Sequence, residues 1–174
     1  ERQMERQRLT HHIHTIGSVR GSSSHQQNPF VVLCDKETSE DFGKCYGVSL
    51  VYSGNFLAEI ELDQYDQLRL VMGIHPRQFV YEIKPGETFE APEVVMAFTE
   101  RGLTGLTHLY HDFYRSNLCR SKFVSEVQRP VLINSWEAAF MDFDDVKLVE
   151  IAKAAKNMGV DMLVMDDGWF GKRD

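Results

Sequence analysis

No stretch of the 174 residues approaches the roughly 20 consecutive apolar residues that a transmembrane helix needs. Cysteine is scarce too. Cys34, Cys45 and Cys119 are an odd number with neither a CxxC pair nor metal-ligand spacing, so no zinc site is expected and the thiols should be free and mostly buried. Basic charge is in deficit: 19 Lys and Arg against 26 Asp and Glu give a formal net charge of -7. That balance argues against a nucleic-acid or anionic-membrane surface, since both recruit clustered cations. The one basic cluster, ERQMERQRL at residues 1 to 9, is broken by glutamates and reads as a solvated arm. It also lacks the apolar stretch of a signal peptide, although the first residue is not Met and a leader upstream would be compatible with it. Odd free cysteines and the absence of an Asn-x-Ser/Thr sequon lean towards a cytoplasmic location.

What is present is globular. Hydrophobic residues make up 43% and charged residues 26%, and the length suits one ordinary domain or parts of two. From residue 13 to about residue 100 the chain reads as short β-type runs: FVVLC (30 to 34), YGVSLVY (46 to 52), FLAEIEL (56 to 62), LRLVMGI (68 to 74) and QFVYEI (78 to 83). SGN, DQYDQ, HPR and KPGE separate them with turn chemistry, and Ser53-Gly54-Asn55 sits where a hairpin turn would fall. An antiparallel sheet or sandwich follows.

After Gly102 the period changes. Leu103, Leu106, Leu109, Tyr110, Phe113 and Tyr114 recur at helical spacing, predicting an amphipathic helix over 103 to 118. PVLIN (130 to 134) is then an apolar run, Asp144-Asp145 a helix start, VKLVEIAKAAKNMG a helix with Gly159 as its C-cap, and Val160 to Met165 a second apolar run interrupted only by Asp161. Strand, helix and strand of this kind make a βαβ unit with parallel strands. A single βαβ unit cannot cover both faces of its sheet, so 129 to 174 is expected to be part of a larger, truncated α/β domain.

The C-terminal ends of parallel strands are where α/β folds place their sites. The first strand ends in Asn134, Ser135, Trp136 and Glu137, the second in Asp166, Asp167, Gly168 and Trp169. Carboxylates that accept hydrogen bonds from neighbouring hydroxyls, beside an indole that covers the apolar face of a ring, suit a sugar. A divalent cation could use the two aspartates, but no further oxygen ligands are identifiable. The plainer alternative is that Asp166 caps the following turn and Trp169 packs in the core, since Asp-Asp-Gly is ordinary turn chemistry. His11, His12 and His14 have spacing that could suit a metal without a nearby carboxylate or cysteine to complete a set. The polar run around His25 reads as a loop, and Glu137 and Asp142 are conceivable acid/base groups without a visible partner.

Five stretches resemble the α-galactosidases of glycoside hydrolase family 36: VRGSSSHQQNPF (19 to 30), YGVSLVYSGNFLAEIELDQY (46 to 65), PGETFEAPEVVMAFTERGL (85 to 103), RPVLINSWEAAFMDF (129 to 143) and MLVMDDGWFGKRD (162 to 174). They run in the family's order over nearly the whole chain and are weakest over residues 1 to 18. The resemblance implies a multidomain protein: 1–102 as the C-terminal part of a β-sandwich (supersandwich) domain, 103–128 as a linker helix, and 129–174 as the first βαβ of a (β/α)8 TIM barrel. It implies hydrolysis of terminal α-D-galactosyl groups, as in melibiose and raffinose-type oligosaccharides, with no cofactor and no metal.

By motif match the resemblance assigns substrate binding to Asp166 and Asp167, which would bond the C4 and C6 hydroxyls of galactose, and to Trp136, which would line the same pocket. The catalytic pair of a retaining glycosidase, with carboxyls about 5 Å apart, belongs to later barrel strands. Neither its KWDMN-type segment nor its partner occurs here, so no catalytic residue is expected in this chain and the chain alone is expected to be inactive. An aromatic residue that many relatives carry in the N-terminal arm is replaced by Gln3 or Met4. A homotetramer is implied, and a fungal-type relative would be secreted. The rival readings are a galactosyl-transferring or α-N-acetylgalactosaminidase relative, and a non-catalytic carbohydrate-binding module.

Overall fold

The computed structural model describes residues 6–23, 26–120 and 129–171. The expectations placed on Gln3, Met4 and His25 lie outside the described residues, as does the 121–128 part of the expected linker. The chain divides into two compact units, Glu1–Tyr114 and Arg115–Asp174.

The first unit holds two antiparallel three-stranded sheets. β1 (His14–Ser18), β4 (Phe56–Leu62) and β5 (Leu68–Ile74) form one in the order β1-β4-β5; β2 (Phe30–Cys34), β3 (Cys45–Leu50) and β6 (Val94–Thr99) form the other in the order β2-β3-β6. The alternation read in FLAEIEL holds, with Phe56, Ala58 and Ile60 buried and the residues between them half-buried. Val31 from β2 packs against Ala58 and Ile60 from β4, with Ile16, Leu33, Leu70 and Met72 around them, so the sheets meet face to face as a sandwich.

The β2-β3-β6 sheet is covered on its other face as well. α1 (Gly102–Phe113) lays Leu106 and Tyr110 against Cys45, Val32, Cys34, Val95 and Ala97. The approach is close enough to require a glycine: a Cβ on Gly47 would stand 2.6 Å from the Tyr110 ring and 3.1 Å from Leu106. Tyr110 donates its hydroxyl to the Val95 carbonyl at 3.0 Å and meets Phe30 edge-on. Burial, and secondarily Tyr114 beside it, pushes its phenol up to about 12. The helical period read from 103 to 118 splits in the structure, the α-helix ending at Phe113 and one π-helical turn, Tyr114–Leu118, continuing it.

Three expectations are corrected. Ser53-Gly54-Asn55 is not a hairpin turn, because β3 and β4 belong to different sheets and the segment crosses between them. There it ties other loops together, the Ser53 and Asn55 carbonyls accepting the amides of Ser23 and His75. QFVYEI forms no strand. Gln78 has a left-handed φ of 63°, Val80 is 95% exposed, and Tyr81 and Phe79 turn towards Phe89 in place of a sheet neighbour. The thiols are not mostly buried: Cys45 is buried, Cys34 half-buried and Cys119 exposed, all free.

The second unit is the βαβ. β7 (Leu132–Asn134) and β8 (Met162–Val164) pair in parallel with Leu132 opposite Met162 and Asn134 opposite Val164. Between them lie a single turn, α2 (Trp136–Ala139), and the longer α3 (Asp145–Asn157). Asp144 caps α3 as the sequence predicts, its carboxylate accepting the Lys147 amide at 2.8 Å, and Gly159 ends the connection at a φ of 84°. Asp161 interrupts its apolar run for a reason: its carboxylate accepts the Val131 amide at 3.0 Å and its own amide bonds the Val131 carbonyl, fixing where the strands begin to pair. Val146, Val149, Met158, Leu132 and Met162 all remain exposed, as two strands and the helices between them leave apolar faces uncovered.

Candidate functional site

The ends of β7 and β8 are joined beyond the ladder by Ser135. Its amide donates to the Val164 carbonyl at 3.0 Å, extending the parallel pairing by one step. Ser135 stands at the N-cap of α2, yet its hydroxyl caps nothing there. The Oγ instead accepts the amide of Asp166 at 3.0 Å, and the residue is wholly withdrawn from solvent. A buried hydroxyl with this partner fixes the backbone at Asp166 more firmly than a surface contact would.

The aspartate turn is held from its other side too. Asp166 accepts the amide of Asp167 through Oδ1 at 2.7 Å, and Gly168 follows at a φ of 107°, where a side chain would be strained. Crowding excludes one as well, since a Cβ on Gly168 would stand 3.0 Å from the Met141 Cα and from the Phe143 ring. On the β7 side, the Asn134 carboxamide accepts the Trp136 amide at 2.7 Å, turning the chain out of the strand. The Trp136 indole meets Phe140 edge-on with centroids 5.3 Å apart, and Phe140 has the left-handed φ of 49°.

Trp136 and Asp166 are therefore each two residues beyond paired strand ends, on one rim, and both half-buried; Asp167 is exposed. Trp169 does not pack in the core: it is 68% exposed, with its ring against Phe170. The local capping half of the plainer alternative is present, in the Asp166–Asp167 bond. Glu137 is exposed on α2. Asp142 lines a separate hollow of about 380 Å³ with Phe143, Asp144, Val146, Lys147 and Glu150, which takes in none of the three expected sugar contacts.

The histidines of HHIH are engaged locally. His11 bonds the Asp63 carbonyl at 3.0 Å and lies 3.6 Å from the Asp66 carboxylate, while His12 stacks on His14. Among the described residues no group of three or more His, Cys, Asp or Glu could hold a metal ion, and no helix is long and apolar enough to cross a membrane.

With the two-strand rim defined, comparison with known families is decisive. The melibiase model matches residues 88–174, and the model for the N-terminal domain of glycosyl hydrolase family 36 matches residues 1–84. The chain belongs to the melibiase family. Among its relatives, the bifunctional α-galactosidase/sucrose kinase AgaSK of Mediterraneibacter gnavus is 52% identical over all 174 residues, which are 18% of that protein. The α-galactosidase AgaA of Geobacillus stearothermophilus is 49% identical over the same span, 24% of its length.

The chain thus spans less than a quarter of these two melibiase relatives. Solved structures of AgaA variants agree: complexes with stachyose and with 1-deoxygalactonojirimycin both superpose at a TM-score of 0.91 and 48% identity, over 100% and 99% of this chain and 24% of theirs. The galactosidase domain of AgaSK superposes at 0.89 with 52% identity over 99% of this chain and 24% of that one. A sandwich followed by the start of a barrel is therefore the fold of this melibiase chain.

Proposed function

We propose that the protein carrying this chain is an α-galactosidase that removes terminal non-reducing α-D-galactosyl residues from melibiose and raffinose-type oligosaccharides with retention of configuration. The observation that carries the reading is the joined rim: two neighbouring parallel strands hold an indole and a carboxylate turn at one end through the buried Ser135. Relatives named as α-galactosidases, 52% and 49% identical over the whole of this chain, support the substrate class.

In this reading Asp166 and Asp167 accept hydrogen bonds from the C4 and C6 hydroxyls and Trp136 lines the pocket. The axial O4 distinguishes galactose from glucose, which makes the two aspartates selectivity residues. They are not the catalytic pair. Adjacent residues on one strand end do not bring carboxylates to opposite sides of an anomeric carbon, as double displacement requires. The nucleophile and the acid/base come from other segments of the protein, and the assembly is a homotetramer.

Hydrolysis of a chromogenic α-galactoside by the full-length protein and by the 174-residue chain tests this together. Turnover is expected from the first, with the corresponding α-glucoside left nearly intact, and none from the second. Equal turnover by the isolated chain would place the catalytic groups within it and overturn the assignment.

A further inference from the structure

Cys34 and Cys45 lie directly opposite each other on β2 and β3. The Asp35 amide bonds the Lys44 carbonyl at 3.2 Å immediately beside them. In an antiparallel ladder that bond flanks a pair that exchanges no hydrogen bonds of its own, the type of site whose Cα atoms stand about 4.5 Å apart. Disulfides accept Cα separations of about 4.4 to 6.8 Å. Opposed residues share a face, and both thiols belong to the cluster beneath Leu106 and Tyr110 of α1. They differ in access: Cys45 is fully buried, whereas Cys34 is half-buried.

We propose that Cys34 and Cys45 are a redox-active dithiol that closes reversibly into a cross-strand disulfide by exchange with a small-molecule disulfide of the glutathione class. Cys34, the less buried of the two residues, loses its proton and attacks one sulfur of the small disulfide. A protein–small-molecule disulfide forms and one thiolate leaves, taking up a proton as the free thiol. Cys45 then releases its proton to solvent and attacks the Cys34 sulfur, expelling the second small thiol. Two protein thiols are oxidised by two electrons, and one small disulfide is reduced to two thiols.

The environment separates the two roles. The Cys45 thiol is pushed up by burial first and by Cys34 second, and it donates to the Gly102 carbonyl at 3.1 Å at the start of α1. Held as a protonated thiol with its sulfur beside Cys34, it serves as the resolving group, not the first attacker. The segment it would close, from Asp35 to Lys44, is already folded back by the bonds from the Thr38 hydroxyl to the Lys44 carbonyl and from the Ser39 amide to the Phe42 carbonyl. Closure therefore demands little rearrangement of the hairpin.

The test is a peptide map of the reduced full-length protein after incubation with oxidised glutathione and alkylation of the remaining thiols. Trypsin cleaves between the cysteines at Lys36 and Lys44, so a Cys34–Cys45 disulfide appears as two linked peptides that separate on reduction. That linked pair is the expected product. Cys45→Ser should instead retain one glutathione on Cys34, and Cys34→Ser should leave Cys45 unmodified. A wild-type protein that keeps glutathione on Cys34 as its end product, or keeps both thiols free, would overturn the proposal. So would linkage of either one to Cys119. Should Cys45→Ser fail to fold, the wild-type map decides alone.

Discussion

The hydroxyl of Ser135 accepts the amide of Asp166 at 3.0 Å inside the second unit, joining the ends of two parallel strands 31 positions apart in sequence. The bond positions the Asp166 backbone, while one of its carboxylate oxygens, Oδ1, accepts the amide of Asp167 at 2.7 Å.

Removing that hydroxyl should therefore be felt at the site. In the full-length protein Ser135→Ala leaves the Asp166 amide without its buried partner, a loss of about 1 to 3 kcal/mol. We expect kcat/KM for an α-galactoside to fall at least severalfold while far-UV circular dichroism stays unchanged. Wild-type kinetics in a folded variant would mean that Ser135 does not set the Asp166 geometry.

Tyr110 predicts an alkaline weakness in the first unit. Its folded value of about 12 lies above the ordinary value of 10.0, so folding favours the protonated phenol. The resulting stability is complete below pH 10 and is lost as the pH rises through 12. Denaturant midpoints measured across that window should fall less in Tyr110→Phe than in wild type. At neutral pH the same variant should be about 1 kcal/mol less stable for want of the bond to Val95.

The Asp144 cap makes a local prediction. Asp144→Ala frees the Lys147 amide and should cost α3 about 1 kcal/mol. Hydrogen exchange should accelerate at Lys147 and its neighbours in the first turn, with β7 and β8 unaffected. Unchanged protection there would show that packing, not the cap, holds the start of α3.

Much of the second unit was readable because its signals are local. Asp144 before a helical period, Gly159 after it and apolar runs on either side each act within a few residues, and the structure places the helix and both strands accordingly. In the first unit local signals misled where pairing decides. Ser53-Gly54-Asn55 has the composition of a turn, yet β3 finds its partners in β2 and β6, so the chain must cross to the other sheet. QFVYEI has strand propensity but pairs with no strand among the described residues. β1 went unread because HTIGS has little alternation of its own and is ordered by its register with β4, Ile16 opposite Ala58.

For the rim, residue type and strand-end position pointed to the two strand ends, and the family resemblance singled out Trp136, Asp166 and Asp167 there, but nothing in sequence marks Ser135 as the buried connector. A serine after a strand and before a helix reads as a cap. Only the parallel register, which brings Val164 beside Asn134, puts its hydroxyl under the Asp166 amide.

Recognition of galactose by the Asp166–Asp167 turn, as proposed above, meets its sharpest test in Asp167→Asn of the full-length protein. The exchange keeps size and shape while removing a charge-assisted acceptor, a loss of about 1.5 to 3 kcal/mol. Steady-state kinetics on an α-galactoside should show kcat/KM reduced roughly tenfold to over a hundredfold. Kinetics indistinguishable from wild type would remove Asp167 from the sugar site.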